Sequence, residues 1–323
     1  MQSPKVLISV LNWNAAANTI DTTRSVLNSD YNNYTIVIED NNSIDNSVQE
    51  IRKAFPSMRV EVLSKNMGYA GGHKIAAGIA KKENYDLLWI LNNDVKVFPD
   101  ALTELVNAYA RNTKSIFGSV TLKEDGETIR FSGGAEMIDE SNYNESVKYN
   151  QFEGKKLTET IMLERPVSDL GGASILIPVS LIDEYGFIDT KYFLYGEETD
   201  YSYRLRRKYG VQSIIVPTSI IIHTGGASFN ISKSLELVKA YYRARNIYYI
   251  YKKHFKNYEF TDVLELHHLI KFFIKHHLFS IPVERDKEYW LKYYKNLGHF
   301  HAKIKLMGKY LEPNDFIKGD NRD

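Results

Sequence analysis

The sequence predicts an α/β protein with a doubly wound, mostly parallel sheet flanked by helices and a helical extension at its C-terminal end. Short apolar runs alternate with helical patterns over the first 110 residues, and the connections between them are short. One run, residues 87–91, has five consecutive apolar residues, as expected of a strand covered on both faces of a sheet. After residue 233, helical spacing replaces the strand pattern.

The individual elements follow from apolar runs, β-branched residues and helix stops. Strands are predicted at residues 6–11, 34–38, 60–63, 87–91, 174–177 and 213–222. Helices are predicted at residues 16–27, 44–55 and 101–110, and through Ala76, Ala77 and Ala80. Residues 123–164 are polar with little periodicity, and we expect strands and loops there that cover one edge of the sheet.

The region after residue 233 is basic, aromatic and helical. A stripe of residues at spacings of three and four predicts its first helix: Leu237, Tyr241, Ala244, Tyr248, Tyr251 and Phe255. Two further helices are predicted at residues 262–281 and 286–297. Residues 233–311 contain 16 Lys and Arg against 7 Asp and Glu, whereas residues 1–232 contain 23 against 29. We therefore predict one domain over 1–232 and a separate region, 233–323, that meets an anionic surface.

The composition is that of a globular protein with a substantial core. Of the 323 residues, 43% are hydrophobic and 25% are charged. The absence of cysteine excludes disulfides and thiolate metal sites. No uncharged apolar run approaches the roughly 20 residues that span a bilayer. No secretory signal is visible, so we expect a cytoplasmic location.

Polar side chains follow the predicted strands at their carboxyl ends. Asn92, Asn93 and Asp94 come directly after strand 87–91, and Asp40 and Asn42 follow the strand at 34–38. The carboxyl ends of neighbouring parallel strands form one crevice, where such sheets bind ligands. A carboxylate there can hold a divalent cation against a phosphate, or accept hydrogen bonds from a nucleobase or ribose. Both segments are equally compatible with turns, including an Asx-turn at Asp40.

Three further motifs have both a functional and a structural interpretation. The glycines at 68, 71 and 72 allow a ligand to approach the backbone closely, or simply form a tight turn from strand to helix. Glu197, Glu198 and Asp200 place three carboxylates within four residues, which suits a general base, or a solvated turn in which Asp200 pairs with Arg204. His223 ends the last strand, where imidazole can ligate a metal or serve a structural role.

In this order, the motifs resemble those of the family 2 glycosyltransferases, which have the GT-A fold, and in particular the bacterial rhamnosyltransferase-like members. The resemblance extends from residue 5 to about residue 228. It rests on Asn12-Trp13-Asn14, Asp40-Asn41-Asn42-Ser43, the segment 66–72, Asn92-Asn93-Asp94, Gly171-Gly172-Ala173, the segment 193–200, and His223-Thr224-Gly225-Gly226.

The resemblance implies an inverting, metal-dependent transfer of a sugar from a nucleotide diphosphate-sugar to a hydroxyl group. Asp94 stands where the family has its D-x-D motif and is expected to bind Mn²⁺ or Mg²⁺, with His223 as a further metal or phosphate contact. Glu198 matches the second position of the family's Glu-Asp motif, the catalytic base, with Glu197 and Asp200 as alternatives.

The resemblance also implies the remaining contacts of the donor and the acceptor. Donor contacts are expected from Asn12, Asp40, Asn42, Asn66, Gly71, Gly72, Asn92, Asn93 and Asp94. Acceptor contacts are expected from Gly172, Ala173, Arg243 and Arg245. The acceptor is expected to be a glycan or a polyprenyl-diphosphate-linked oligosaccharide in the synthesis of a bacterial surface polysaccharide such as a capsule or cell wall.

Two positions depart from the family pattern, since Glu198 stands where Asp is usual and His73 where Asn is commoner. Asn92 is common in the rhamnosyltransferase-like branch, which makes dTDP-rhamnose the leading donor by analogy. A UDP-hexose or UDP-N-acetylhexosamine donor, or a non-catalytic nucleotide-sugar-binding module, is the alternative. The basic helices suit contact with the inner membrane surface, or packing on the catalytic domain or in a homodimer. Nucleic acid is not expected, because the charge is interleaved with an apolar stripe.

Overall fold

The computed structural model describes residues 3–134, 152–224, 233–255, 266–278 and 287–311. The strands are Val6–Asn12 (β1), Tyr34–Asp40 (β2), Arg59–Val62 (β3), Leu87–Asn92 (β4), Val95–Val97 (β5), Ser115–Leu122 (β6), Ile129–Phe131 (β7), Arg165–Val167 (β8), Ser174–Pro178 (β9) and Gln212–His223 (β10). The helices are Ala16–Leu27 (α1), Ser47–Ala54 (α2), Gly68–Lys82 (α3), Ala101–Arg111 (α4), Val179–Tyr185 (α5), Glu197–Tyr209 (α6), Lys233–His254 (α7), Leu266–Leu278 (α8) and Lys287–Lys303 (α9).

The ten strands form one sheet, with β3-β2-β1-β4-β9-β6-β10-β5 as the main order. Strands β3, β2, β1 and β4 are mutually parallel, as are β6 and β10. Strand β9 runs antiparallel between β4 and β6, and β5, β7 and β8 add further antiparallel pairs. The predicted fold class is confirmed, with the refinement that the sheet is mixed around β9.

Helices cover both faces of this sheet, because alternate side chains of a strand point into two different hydrophobic clusters. In β4, Leu88 and Ile90 point into a cluster with residues of α3, α5 and α6. Leu87, Trp89 and Leu91 point into a second cluster, which contains residues of α1, α2 and α4. All five residues are buried, which is why their run is uninterrupted in the sequence.

Strand β6 was absent from the sequence prediction, although all eight of its residues are buried. Its sequence mixes small polar residues with apolar ones, so neither alternation nor an apolar run is visible. Ser119 satisfies its hydroxyl inside the sheet, with its Oγ 2.7 Å from that of Ser174 and 2.8 Å from that of Ser219. An added Cβ at Gly118 would lie 2.8 Å from Leu170 Cδ2. Close packing and long-range hydrogen bonds therefore define this strand.

The chain divides into two compact units. The sheet unit comprises residues 1–189 and 198–228, and the helical unit comprises residues 190–197 and 229–323. The division differs from a single boundary at residue 232, because the short segment Thr190–Glu197 belongs with the C-terminal helices. Parts of the predicted loops at 123–164 and of the predicted helices at 262–281 and 286–297 lie outside the described residues.

The buried face of α7 differs from the predicted apolar stripe. Its fully or nearly fully buried residues are Val238, Tyr241, Tyr242, Arg245, Asn246 and Ile250. Two polar residues thus lie on the buried face, whereas Tyr248 and Tyr251 of the predicted stripe are only partly buried. Helix α9 approaches this helix closely, because an added Cβ at Gly298 would lie 2.4 Å from the carbonyl oxygen of Tyr241. Across the described residues, every helix is too short or too polar to traverse a bilayer.

Candidate active site

Asp94 and His223 lie together at the carboxyl edge of the sheet. Asp94 occupies the turn between β4 and β5, and the antiparallel pairing of β5 with β10 sets His223 opposite Val95. The His223 Nε2 lies 3.0 Å from the Asp94 Oδ1 and 3.3 Å from the Asn92 Nδ2. The backbone N–H of Thr224 donates to the Asp94 carbonyl, at 3.2 Å, and fixes the turn.

An open groove of about 430 Å³ lies beside Asp94. Residues of α1, β5 and the adjoining turns line it, and its polar and charged side chains include Asn18, Asp21, Arg24, Lys96 and Thr224. The Asp94 and His223 side chains are 7% and 19% exposed. This carboxylate–imidazole pair is thus within reach of a ligand.

Asp40 belongs to a buried hydrogen-bond network that joins three elements. Its Oδ1 accepts from the backbone N–H of Ser43 at 2.8 Å, and its Oδ2 accepts from Asn12 Nδ2 at 2.7 Å and from Ser43 Oγ at 2.6 Å. Asn12 Oδ1 accepts from Thr19 Oγ1, and Asn93 Nδ2 donates to that same hydroxyl. Asp40, Asn12 and Asn93 are 0%, 0% and 5% exposed. Asp40 is therefore buried and holds the turn that follows β2 through the N–H and the hydroxyl of Ser43.

The segment 66–72 forms the start of α3 rather than an open glycine loop. Asn66 Oδ1 accepts from the Gly68 N–H at 2.9 Å. Asn41 ties this helix start to the end of β2, since its Oδ1 accepts from the Met67 N–H and its Nδ2 donates to the Gly68 carbonyl. Asn42 is exposed, with a left-handed φ of +63°. Asn41 was not singled out from the sequence, where it has the appearance of a turn residue.

Gly71 and Gly72 are both buried within α3. An added Cβ at Gly72 would lie 2.3 Å from Leu11 Cδ1, and one at Gly71 would lie 2.6 Å from Met67 Cβ. Gly72 therefore allows α3 to lie close to β1, and Gly71 leaves room for Met67 at the start of the helix. The predicted contact of these glycines with the donor stays a prediction.

The turn at residues 171–173 links the end of β4 to the acidic cluster. The backbone N–H of Asn92 donates to the Ala173 carbonyl at 3.2 Å. Tyr69 donates its hydroxyl to the Gly172 carbonyl at 2.5 Å. A Cβ added at Gly172 would lie 3.8 Å from the Glu198 carboxyl carbon, so glycine leaves space beside that carboxylate. Tyr69 was missed by sequence reasoning, although it lies inside the segment 66–72.

The three acidic candidates differ in accessibility. Glu197 and Asp200 are 3% and 0% exposed, whereas Glu198 is partly exposed. A further carboxylate, Asp169, is buried nearby and accepts a hydrogen bond from Thr199 Oγ1 at 3.4 Å. Burial raises the pKa of Asp169, although hydrogen bonds from Ser168 and Thr199 oppose this shift. Among the three predicted carboxylates of this cluster, Glu198 is the one with a partly exposed side chain.

The terminal nitrogens of Arg204 donate to backbone carbonyls rather than to Asp200, the partner that the sequence suggested. Its Nη1 and Nη2 donate to the carbonyls of Tyr185 and Phe187 at 2.6 and 2.7 Å. Arg204 thereby ties α6 to the end of α5.

Arg243 and Arg245 have different environments in the helical unit. Arg243 is exposed, with its guanidinium carbon 5.1 Å from the ring centre of Tyr195. Arg245 is completely buried and donates to Asn246 Oδ1, the Gly308 carbonyl and the Tyr192 carbonyl at 2.6–2.8 Å. These bonds correct the prediction that Arg245 faces acceptor phosphates, because its charged group is committed to the protein backbone.

The donor set at the sheet edge fits a divalent cation held jointly by protein and substrate. Among the described residues, no group of three or more His, Cys, Asp and Glu side chains is arranged to hold a metal. Asp94 and His223 supply one carboxylate and one imidazole, 3.0 Å apart. Such a pair would leave coordination positions for phosphate oxygens and water, and its carboxylate is a ligand that suits Mg²⁺ and Mn²⁺.

The fold and the strand-end residues define an α/β protein of the GT-A type. Residues 7–186 match the family described as Glycosyl transferase family 2, and the chain belongs to that family.

The chain is also similar to curated proteins of two organisms. It is 26% identical over 206 residues to N-acetylglucosaminyl-diphospho-decaprenol L-rhamnosyltransferase of Mycobacterium tuberculosis, a match that covers 58% of this chain and 66% of the relative. It is 24% identical over 144 residues to Low-salt glycan biosynthesis hexosyltransferase Agl10 of Haloferax volcanii, covering 44% of each chain. The match thus spans just under two thirds of the length of the mycobacterial relative.

Two solved structures share the fold. Mannosyltransferase PcManGT of Pyrobaculum calidifontis, in complex with GDP-Man and Mn²⁺, matches 99% of this chain and 80% of its own with a TM-score of 0.54 and 12% identity. GalNAc-T7 with UDP, GalNAc and Mn²⁺ matches 77% of this chain and 50% of its own, with a TM-score of 0.50 and 17% identity. At these identities the similarity concerns the fold alone.

Proposed function

We propose that the protein is an inverting, metal-dependent glycosyltransferase that transfers L-rhamnose from dTDP-rhamnose to a hydroxyl group of a lipid-linked oligosaccharide or surface polysaccharide. The observation that carries the proposal is the joint placement of Asp94 and His223, 3.0 Å apart at the carboxyl edge of a family 2 sheet. The rhamnosyl donor is supported by the name of the mycobacterial relative and by Asn92.

The sheet edge is proposed to bind the donor diphosphate. Asp94 and His223 are proposed to hold Mn²⁺ or Mg²⁺, which neutralises the charge that develops on the departing diphosphate. Both solved structures of similar fold contain Mn²⁺ with a nucleotide or nucleotide-sugar, which supports this choice. An indirect role is proposed for the buried residues Asn12, Asp40 and Asn93. Their hydrogen bonds hold the ends of β1, β2 and β4 at a fixed separation. The donor is also proposed to contact Asn42, Asn66 and Asn92.

Glu198 is proposed to be the catalytic base. Its carboxylate accepts the proton of the acceptor hydroxyl while that oxygen bonds to the anomeric carbon of the sugar. The bond between the anomeric carbon and the diphosphate oxygen breaks from the opposite face, and the nucleoside diphosphate leaves with the electron pair. Gly172 supports this role because its missing side chain leaves space beside the Glu198 carboxyl group.

The helical unit is proposed to contact the acceptor substrate, whose polyprenyl-diphosphate carrier lies at the membrane surface. In α8, Leu266 and Ile270 are 38% and 43% exposed, and Lys271 is adjacent to them on this helix. Exposed apolar residues beside cations suit an anionic lipid interface. Arg243 remains available as a contact for the acceptor phosphates, since its side chain is exposed.

Calorimetric titration with dTDP and with UDP, each with and without Mn²⁺, tests the donor site. We expect Mn²⁺-dependent binding of dTDP and a loss of at least tenfold in affinity for Asp94→Ala. Asp100→Ala is the control, because this exposed carboxylate of the same unit lies before α4. A preference for UDP would retain the enzyme class and replace rhamnose with a UDP-sugar. No binding of either nucleotide would contradict the proposal.

A further inference from the structure

The segment that leads into the proposed catalytic base has a strained backbone. Phe193, Tyr195 and Gly196 have φ angles of +67°, +66° and +87°. The left-handed region is unfavourable for the two aromatic residues, because their Cβ atoms crowd the backbone. Such conformations persist where surrounding groups hold them. Helix α6 begins one residue later, at Glu197, and Glu198 follows in its first turn.

The amide of Asn246 holds this segment from α7. Its Nδ2 lies 2.6 Å from the Tyr195 carbonyl, 2.8 Å from the Leu194 carbonyl and 3.2 Å from the Tyr192 carbonyl. Asn246 is completely buried, so water does not compete for these carbonyls. A primary amide has two N–H groups, which matches the two shortest of the three contacts.

Arg245 fixes the orientation of that amide. Its Nε donates to the Asn246 Oδ1 at 2.8 Å, which assigns oxygen and nitrogen of the side chain, and its Nη2 donates to the Tyr192 carbonyl at 2.8 Å. Gly196 adds a steric constraint, because an added Cβ would lie 2.8 Å from Ile250 Cδ1 and 3.6 Å from Asn246 Cβ. The segment 192–196 is therefore clamped to α7 by hydrogen bonds at its carbonyls and by contact at its glycine.

We propose that Asn246 is a positioning residue for sugar transfer. By holding the strained segment 192–196, it sets where α6 begins and hence where the Glu198 carboxylate points. This inference rests on the proposed function, in which Glu198 is the base. The purely structural alternative is that Asn246 only stabilises the helical unit.

Asn246→Asp tests the inference, because it keeps the size of the side chain and its acceptor for Arg245 but faces the carbonyls with oxygen instead of an N–H donor. We expect kcat to fall about 100-fold, as for an ångström-scale displacement of a reacting group. The Kd for dTDP with Mn²⁺ should stay within twofold of the wild-type value, because the donor residues lie on the sheet edge. The acidic limb of the pH profile of any residual transfer should shift, since that limb reports the pKa of the base and the surroundings of the base have changed.

Asn296→Asp is the matched control, as Asn296 is a buried asparagine of α9 in the same unit. It introduces a similarly buried carboxylate on α9, whereas the hydrogen bonds to the carbonyls of the segment 192–196 come from Arg245 and Asn246 of α7, so it should keep wild-type kcat in its folded fraction. Asn246→Ser, which keeps one hydroxyl donor, should give an intermediate kcat and covers the case in which Asn246→Asp does not fold.

Glu198→Gln, measured in parallel, separates this inference from the proposed function. If Glu198→Gln abolishes transfer and folded Asn246 variants keep wild-type kcat and pH profile, the positioning role is wrong and the proposed function stands. If Glu198→Gln leaves transfer intact, the proposed base fails and the inference fails with it. Equal losses of kcat, dTDP binding and melting temperature in Asn246→Asp and Asn296→Asp would also overturn it.

Discussion

At the carboxyl edge of the sheet, Asp94, His223 and Glu198 keep part of their side chains accessible, whereas Arg245 and Asn246 of the helical unit are completely buried. The buried pair binds backbone carbonyls of the segment that precedes α6. The polar residues that the sequence marked as candidates for ligand contact therefore fall into two groups, accessible or partly accessible ones and buried ones. Asp94, His223 and Glu198 are partly accessible to a ligand, whereas the polar side chains on the buried face of α7 donate hydrogen bonds to backbone carbonyls that water does not reach.

This comparison makes a clear distinction in the expected phenotypes. Substitutions at the sheet edge should change catalysis more than stability, because these side chains keep a part that a ligand can contact. Substitutions on the buried face of α7 should change stability, because each leaves carbonyls without a donor, and at Asn246 we expect a loss of kcat as well.

The largest expected effect concerns Glu198. Glu198→Gln should lower kcat about 10³-fold, because general-base catalysis typically contributes between 10² and 10⁴. The dTDP affinity and the melting temperature should be unchanged, as glutamine keeps the size of the side chain. Sugar transfer, calorimetry and thermal unfolding measure the three quantities.

Glu184→Gln is the control for this experiment, since Glu184 is an exposed glutamate on α5. An unchanged transfer rate in Glu198→Gln would remove Glu198 from the site and turn attention to Glu197 and Asp200.

The next effect concerns stability of the helical unit. Arg245→Met should lower the free energy of unfolding by about 3 kcal/mol, since the buried Tyr192 carbonyl and the partly buried Gly308 carbonyl each lose one donor. Arg243→Met, two residues away and exposed, should change it by less than about 0.5 kcal/mol. Denaturant unfolding of the two variants measures the difference. Equal stabilities would remove the distinction between the buried and exposed arginines.

The Arg243 variant also tests the acceptor contact. If its guanidinium binds acceptor phosphates, Arg243→Met should raise the KM for a diphosphate-linked acceptor while the KM for the donor stays unchanged. A simple hydroxyl acceptor without phosphate should show no difference.

The smallest expected effect concerns Glu39, a carboxylate of the sheet unit that is completely buried, unlike the partly accessible residues at the sheet edge. Glu39 accepts a hydrogen bond from Ser9 Oγ at 2.9 Å, and the same hydroxyl lies 2.6 Å from His73 Nδ1. Burial raises the pKa of Glu39 well above its ordinary value and lowers the pKa of His73 to about 3. Both side chains are therefore uncharged over the pH range between these values.

The pH dependence of stability follows from the directions of the two pKa shifts, upward for Glu39 and downward for His73. The contribution of Glu39 to stability is full below the carboxyl's ordinary pKa of 4.5 and declines as pH rises through its raised folded-state value. The contribution of His73 is full above its ordinary pKa of 6.5 and declines as pH falls toward 3. Glu39→Gln should therefore raise the melting temperature by a few degrees at pH 8, with a smaller gain at pH 5. A gain that is larger at pH 5 would contradict the burial argument.

Local pattern was sufficient for much of the sheet unit. The apolar run at β4 and the β-branched strands β1 and β2 were predicted correctly, because buried strands need apolar residues on both faces. Strand β6 was missed because its sequence shows no apolar run, and its buried Ser119 hydroxyl finds its partners, Ser174 and Ser219, on distant strands. The residues near the proposed site were found largely through ordered motifs, yet Tyr69 and Asn41 were overlooked inside those same motifs.

The sequence by itself determined the α/β class, the family, and the polar residues that follow each strand, since these properties depend on local composition and order. Only the tertiary structure decided which of those residues meet. The antiparallel insertion of β9, the packing of Gly72 on Leu11, and the burial of Arg245 and Asn246 involve partners far apart in the chain. Periodicity reports that a side chain is buried; the identity of its neighbour depends on long-range packing, which no local pattern contains.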